Sequence, residues 1–281
     1  MKKWITILIE IIIILAVVVW LIFLGFSIFG FKGKAIDELD LTQKGEEQRI
    51  DIPTKSIDEY SPNESLFALL GQIRDLNYTA IVQGEVSALG GFYKQKIDGQ
   101  KFCTSDKSLY ISKTTSSFFK DGKKILIDSN NQVQVLQATD VVKDEWEGNT
   151  TTYTLQNYLN EYGVDFRELS NYTLNSETIL FSQKLSSTNG VYVFEYNLDP
   201  EKATIGYRLN MAKMGGLSSL PEFASCKITV SMGEDFKPLS VVCEDHYKVA
   251  LLGGLKCSST LTTTYGNIGS EITFPELQQF N

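Results

Sequence analysis

Residues Ile11 to Phe31 form an uncharged run, IIIILAVVVWLIFLGFSIFGF. At ~1.5 Å rise per residue its length is roughly 31 Å as a helix, enough to cross a ~30 Å hydrocarbon core. No other feature constrains the chain as strongly. It predicts a signal anchor, a transmembrane helix within residues 1–31, with the remaining mass on one side of a bilayer. A cleaved signal peptide fits less well. Its apolar stretch spans about 7–15 residues and ends at a small-residue site, whereas Ile28-Phe29-Gly30-Phe31-Lys32 offers none. Lys2, Lys3 and the amino terminus outweigh Lys32 and Lys34 narrowly, which places the N-terminus in the cytoplasm and the C-terminal body outside. The expected localisation is the cell membrane, single-pass, with the bilayer a partner through residues 11–31.

The next segment, residues 32–60, is polar and charged and reads as a tether with little packing potential. The body, 61–281, opens with a clear helix start. Ser61-Pro62-Asn63-Glu64 matches a capping box with proline at the first helical position. Leu66, Leu69, Leu70, Ile73 and Leu76 then recur on one face. From Tyr78 to Thr139 the pattern changes to short β runs, with turns expected at Gly90-Gly91, Asp98-Gly99, Ser105-Asp106, Asp121-Gly122 and Ser129-Asn130-Asn131. A second helix is expected from Thr154 to Tyr162, stopped by Gly163. Two strands flank Asn189-Gly190, a strong hairpin signal. A third helix is expected from Asp199-Pro200-Glu201 to Gly215-Gly216, followed by strands at 224–232, 239–251 and 255–265. Strands outnumber helices without β-α-β alternation. The expected class is therefore α+β: a transmembrane helix, then a curved antiparallel sheet, a half-barrel, with helices on its concave face. Two small domains meeting near Thr150 are the alternative.

The net charge of −8, without a basic patch, excludes nucleic acid as an expected partner. The cysteines are Cys103, Cys226, Cys243 and Cys257. Outside the cytoplasm an even number suggests disulfides. A hairpin centred on Gly233-Glu234-Asp235-Phe236 would pair Ile228 with Val241 and set Cys226 opposite Cys243, near disulfide reach, leaving Cys103 and Cys257 as the second pair. Four buried free thiols are the alternative. The spacings are not those of a zinc site.

No catalytic, metal or cofactor constellation can be named. The lone His246, between Asp245 and Tyr247, reads as structural, and no G-x-S-x-G elbow accompanies it. The acidic clusters read as solvated turns. On the third helix Ile205, Leu209 and Ala212 form one apolar stripe, and Tyr207, Met211 and Met214 another. Such an arc fills gaps against a sheet or, through the adaptability of methionine, lines a space for apolar ligands.

The order of elements resembles the LolA-like family of periplasmic lipoprotein carriers and its LppX/LprG-type relatives, over roughly Ser61 to Pro275. The stretch that carries the likeness best is CKITVSMGEDFKPLSVVCEDHYKV, followed by LTTTYGNIGSEITFP. The resemblance implies a half-open barrel lidded by helices, with acyl chains held in its hollow. It makes Leu66, Leu69, Leu70, Ile73, Ile205, Tyr207, Leu209, Met211 and Met214 candidates for lining that hollow. The expected function is a non-catalytic, membrane-tethered extracytoplasmic module that binds a lipid or other apolar ligand. The alternative is a cell-surface interaction or sensor module with an envelope protein partner. A hollow would point to the first and a filled core to the second.

Overall fold

The computed structural model describes residues 31–117, 120–147, 150–251, 254–275 and 280. The expected anchor, apart from Phe31, lies outside the described residues. Among the described residues no helix is long and apolar enough to cross a membrane.

Among the described residues twelve strands and three α-helices follow the chain: α1 Pro62–Gln72, β1 Tyr78–Ala88, β2 Tyr93–Cys103, β3 Ser108–Ser116, β4 Lys120–Ile127, β5 Gln132–Asp140, β6 Glu145–Trp146, β7 Thr151–Thr154, α2 Leu155–Tyr162, β8 Ile179–Thr188, β9 Val191–Leu198, α3 Ile205–Gly215, β10 Glu222–Gly233, β11 Pro238–Val249 and β12 Leu255–Gly266. All strands join one open antiparallel sheet in the order β6-β5-β4-β3-β2-β1-β12-β11-β10-β9-β8, with β7 also paired to β5. The central pairing of β1 with β12, Thr79↔Gly266 to Ala88↔Cys257, joins the two halves of the chain. Strands from before and after residue 150 belong to this one sheet.

Local signals explain the helices. The Ser61 hydroxyl accepts from the Glu64 amide at 3.3 Å, and the Glu64 carboxylate accepts from the Ser61 amide at 2.8 Å. The Thr154 hydroxyl caps α2 by accepting from the Asn157 amide at 3.2 Å, and Gly163 ends it in the left-handed region at φ 79°. The third helix starts later than expected. Asp199 accepts from the Glu201 and Lys202 amides and closes a separate turn before Ile205.

Two expected turns are strand interior. Asp98-Gly99 and Asp121-Gly122 lie within β2 and β4. Both glycines answer to close approach rather than to chain reversal. A Cβ at Gly99 would meet the Tyr110 ring at 3.0 Å, and one at Gly122 would meet Ala138 Cβ at 3.0 Å. At Asn189-Gly190 the expected tight turn is present, with φ 53° and 73°.

The expected disulfides are absent: all four cysteines are free. The β10–β11 register pairs Ile228 with Cys243 and Cys226 with Asp245, two residues from the expected one. A one-residue-longer turn pairs Met232 with Pro238, and an irregularity at the next step sets Ser231 against Ser240, which leaves Leu239 unpaired and exposed. Cys103 and Cys257 stand opposite Tyr78 and Ala88, the two ends of β1. Ten residues of strand separate them by roughly 33 Å, far beyond disulfide reach.

Residues 32–60 also differ from expectation. They pack along the body instead of hanging free. Lys34 bridges to Leu220, the Gln48 amide donates to the Leu174 carbonyl at 3.0 Å, the Ile50 amide donates to the Phe67 carbonyl at 2.8 Å, and Ile57 is buried. Composition concealed this because the ties are backbone bonds and ion pairs, which need no apolar run.

The helices lie on one face of the sheet, the inner face, over Tyr78, Ala80, Phe194, Tyr196, Ile228, Val230 and Val241. A smaller cluster of Leu109, Leu126, Leu136 and Phe280 sits on the opposite face, with Phe102, Ile111, Trp146 and Phe274 packed against it.

Candidate functional site

The inner face is filled. All nine side chains expected to line a hollow pack into the core. Leu66, Leu69, Leu70 and Ile73 are buried in the main cluster, Tyr207, Met211 and Met214 are half-buried against it, and Ile205 and Leu209 are buried outside it. Tyr207 meets the Tyr172 ring edge-on at 5.8 Å and the Phe223 ring at 5.4 Å. Of the nine, Leu209 also lines a surface groove, with Ile36, Leu39, Leu41 and Lys213.

The main filler is the irregular segment 163–178, between α2 and β8. Val164, Phe166, Leu169, Tyr172 and Leu174 are buried, and Phe166 stacks on Tyr110 at 5.6 Å. Buried backbone must be hydrogen-bonded, and inward-facing side chains of the sheet meet that need. Tyr78 Oη donates to the Arg167 carbonyl at 3.2 Å, Lys101 Nζ to Glu168 at 3.4 Å and Tyr265 Oη to Leu169 at 3.5 Å. Little in the sequence signals this segment, because its apolar residues follow neither helical nor strand period.

An ionic cluster locks the segment in place. Arg49 Nη2 donates to Glu168 Oε2 at 2.6 Å, Arg74 pairs with the other Glu168 oxygen, and Arg167 pairs with Asp165 at 2.6 Å. Burial opposes ionisation of Asp165, but the Arg167 hydrogen bonds hold its carboxyl below the usual range. Glu47 lies nearby with Oε2 buried, without a hydrogen bond, and 4.0 Å from Arg49 Nη2. Burial and the adjacent Glu168 charge push its carboxyl up to about 8. Farther along the inner face, the Asp245 carboxylate accepts from Tyr172 and, at 2.8 Å, from Ser259. Burial raises its carboxyl above the ordinary value. Asp165, Glu168 and Asp245 are buried among side chains of the fold, whereas Arg74 is half exposed. His246 points to the other face, exposed, with Nδ1 3.2 Å from Ser225 Oγ.

The open site is on the outer face. A groove of about 620 Å³ crosses β1–β4 and is lined by Ile81, Val82, Gln83, Asp98, Gly99, Gln100, Ile111, Lys113, Lys124, Asp144 and Pro275. Strand alternation places these side chains. Ile81 pairs with Gln100, which pairs with Ile111, which pairs with Lys124, a row across four strands on one face. Ile81 is 56% exposed, although it is an isoleucine at the centre of a sheet. The rim is charged. Lys113 Nζ lies 2.8 Å from Asp144, whose carboxyl this bond holds below its usual range, and Lys124 Nζ lies 4.2 Å from the centre of the Trp146 ring. A groove of this volume accommodates a drug-sized or single-chain amphipathic molecule. The sequence signal was available: the outward alternation of β1 puts an isoleucine where a polar residue is expected.

No protein-family model matches the chain, and no curated protein matches it. Among solved structures it is similar to lipovitellin, described for its lipid–protein interactions, at 9% identity and TM-score 0.31, over 72% of this chain and 26% of that one. It is similar to Rv2717c from M. tuberculosis at 8% identity and TM-score 0.22, over 72% of this chain and 98% of that one. A DUF1329 family protein from Desulfovibrio piger matches at 7% identity and TM-score 0.20, over 77% and 96% of the two chains.

Proposed function

We propose that this chain is a membrane-tethered, extracytoplasmic, non-catalytic module that binds an amphipathic ligand in the outer-face groove. The observation that carries the reading is the groove itself. It holds about 620 Å³ over exposed Ile81 and half-buried Ile111, with Lys113, Lys124, Asp98 and Asp144 around it. An apolar chain covers Ile81 and Ile111, and a polar head meets the charged rim. The tether is the uncharged run 11–31. The inner face is not the ligand site in this reading, because segment 163–178 occupies it.

Native mass spectrometry of the full chain released from detergent tests the proposal. Wild type is expected to retain an amphiphile, and Ile81→Asp, at an exposed position, to lose it. A wild type that carries nothing and gains nothing from added lysophospholipid overturns it.

A second reading rests on the sheet edge. β8 is the last strand of the order, and Leu180, Phe181 and Leu185 on it are exposed. An apolar edge is a template for a strand from a partner protein. Register irregularities between Ile179 and Phe181 and between Lys184 and Ser186 interrupt it, which limits pairing to short segments.

A further inference from the structure

We infer that one end of the sheet, formed by the β1–β2 and β11–β12 hairpin tips, rests on the bilayer and inserts Leu89, Phe92 and Leu251 among the headgroups. The inference rests on the anchor reading above and extends it from a tether to an oriented, docked body.

The first observation is the position of Phe31. Phe31, the last residue of the uncharged run, lies against the β11–β12 tip: a side chain at Gly254 would meet Phe31 Cβ at 2.8 Å. Three residues later the chain is fixed, since the Leu220 amide donates to the Lys34 carbonyl at 2.9 Å. Almost no slack separates the end of the run from the folded body. Whatever layer holds the run is therefore within a few residues of this end of the sheet.

The second observation is the apolar surface there. Phe92 is 95% exposed, and Leu89 and Leu251 are half exposed. The β1–β2 tip abuts β12, because Ala88 pairs with Cys257. Both tips thus share the end where Phe31 emerges. The β1–β2 tip is held outward by its backbone. Leu89, Gly90 and Gly91 have φ of 53°, 65° and 94° in succession. Glycine adopts such values freely, but for leucine the left-handed region is strained. Burial of Leu89 and Phe92 would compensate that strain, and among the described residues Leu89 is only half covered and Phe92 is bare.

The third observation is charge. Directly behind each apolar tip stand lysines. Lys94 follows Tyr93 on β2, and Lys248 and Lys256 face each other across β11 and β12. Like charges directly opposed across strands are destabilising in water. Lys32 and Lys34 add to the same end. Glu85 pairs with Lys94 at 2.7 Å, and Glu222 is in register with Lys248, so the end is mixed yet richer in lysine than this acidic chain as a whole. Apolar tips with lysines two or three residues behind match an anionic bilayer surface, where hydrocarbon takes the tips and phosphates take the amines.

Tryptophan quenching in nanodiscs of phosphatidylcholine and phosphatidylglycerol with brominated acyl chains tests this on the full chain. The native Trp4 and Trp20 report on the anchor, and Trp146 lies in the body. Wild type is expected to be quenched through Trp4 and Trp20. The additional emission of Phe92→Trp is expected to be blue-shifted and quenched as well, whereas that of Leu185→Trp on the edge strand stays unquenched and open to iodide. If wild type is quenched but the residue-92 emission behaves like that at residue 185, the docking is overturned and the anchor stands. If wild type itself is unquenched, the anchor reading falls and the docking with it.

Discussion

Arg49 and Glu168, 119 residues apart in sequence, meet at 2.6 Å. Their contact joins the segment before α1 to the irregular segment that fills the inner face. The same guanidinium donates to the Leu70 carbonyl in the last turn of α1, so one side chain ties three parts of the chain together. Arg49→Ala is expected to destabilise the fold by about 1–3 kcal/mol, the cost of an unmet buried polar group, with Arg74 left to offset part of the Glu168 charge. Urea denaturation checks this: the midpoint falls while the slope is unchanged.

Glu47 gives the pH dependence. Its ordinary value is 4.5, and burial with the Glu168 charge raises it to about 8 in the folded chain. Between these values the folded state keeps a proton that the unfolded state has lost. Stability from this group is therefore full below about pH 4.5, falls as pH rises through the window, and reaches its lowest level above about pH 8. Glu47→Gln is expected to flatten that decline and to raise the melting temperature at pH 8.5 more than at pH 5. Equal shifts at both pH values would remove Glu47 as the cause.

The sheet was legible because its signals are local. Period-two runs, the Asn189-Gly190 turn and the Ser61 capping box each act within a few residues, and all three are present. What lay beyond the sequence is non-local. The 163–178 filler is specified by carbonyls meeting Tyr78, Lys101 and Tyr265 from three different strands. The Cys226 register depended on one extra turn residue and on Leu239, neither of which alters the alternation on either side. The role of the helix residues was hidden for a related reason. The apolar residues of α1 and α3 read equally as lining or as filler, and only the presence of segment 163–178 decides between them. Ile81 was visible as an outward isoleucine, but its meaning required the row with Ile111 across two neighbouring strands.

The thiols have a distinct expected pattern. Burial raises the thiols of Cys103, Cys226 and Cys243, and that of half-buried Cys257 to about 11. Little thiolate is present at neutral pH, so native maleimide labelling is expected to be slow at Cys257 and absent at the other three. Four labels should appear after denaturation without reductant. A labelled count of two or none under those conditions would restore one or both disulfides.

Gly163 tests how α2 and α3 are held together. It ends α2 at φ 79°, and a Cβ there would lie 2.3 Å from the Gly206 carbonyl oxygen in the first turn of α3. The reverse contact is equally tight: a Cβ at Gly206 would lie 2.3 Å from the Gly163 carbonyl oxygen. That same carbonyl accepts from Lys44 Nζ at 2.6 Å, so its position is fixed from a third direction. Gly163→Ala therefore combines left-handed strain, about 1–3 kcal/mol, with a backbone clash that no rotamer relieves. The expected result is a larger loss of stability than for Gly216→Ala, which caps α3 at φ 62° with open space around its Cβ. Comparing the two by thermal melting separates the conformational cost, common to both, from the clash, which belongs to Gly163 alone. Equal losses would mean that α2 and α3 move apart without penalty and that their glycine contact does not hold the inner layer in place.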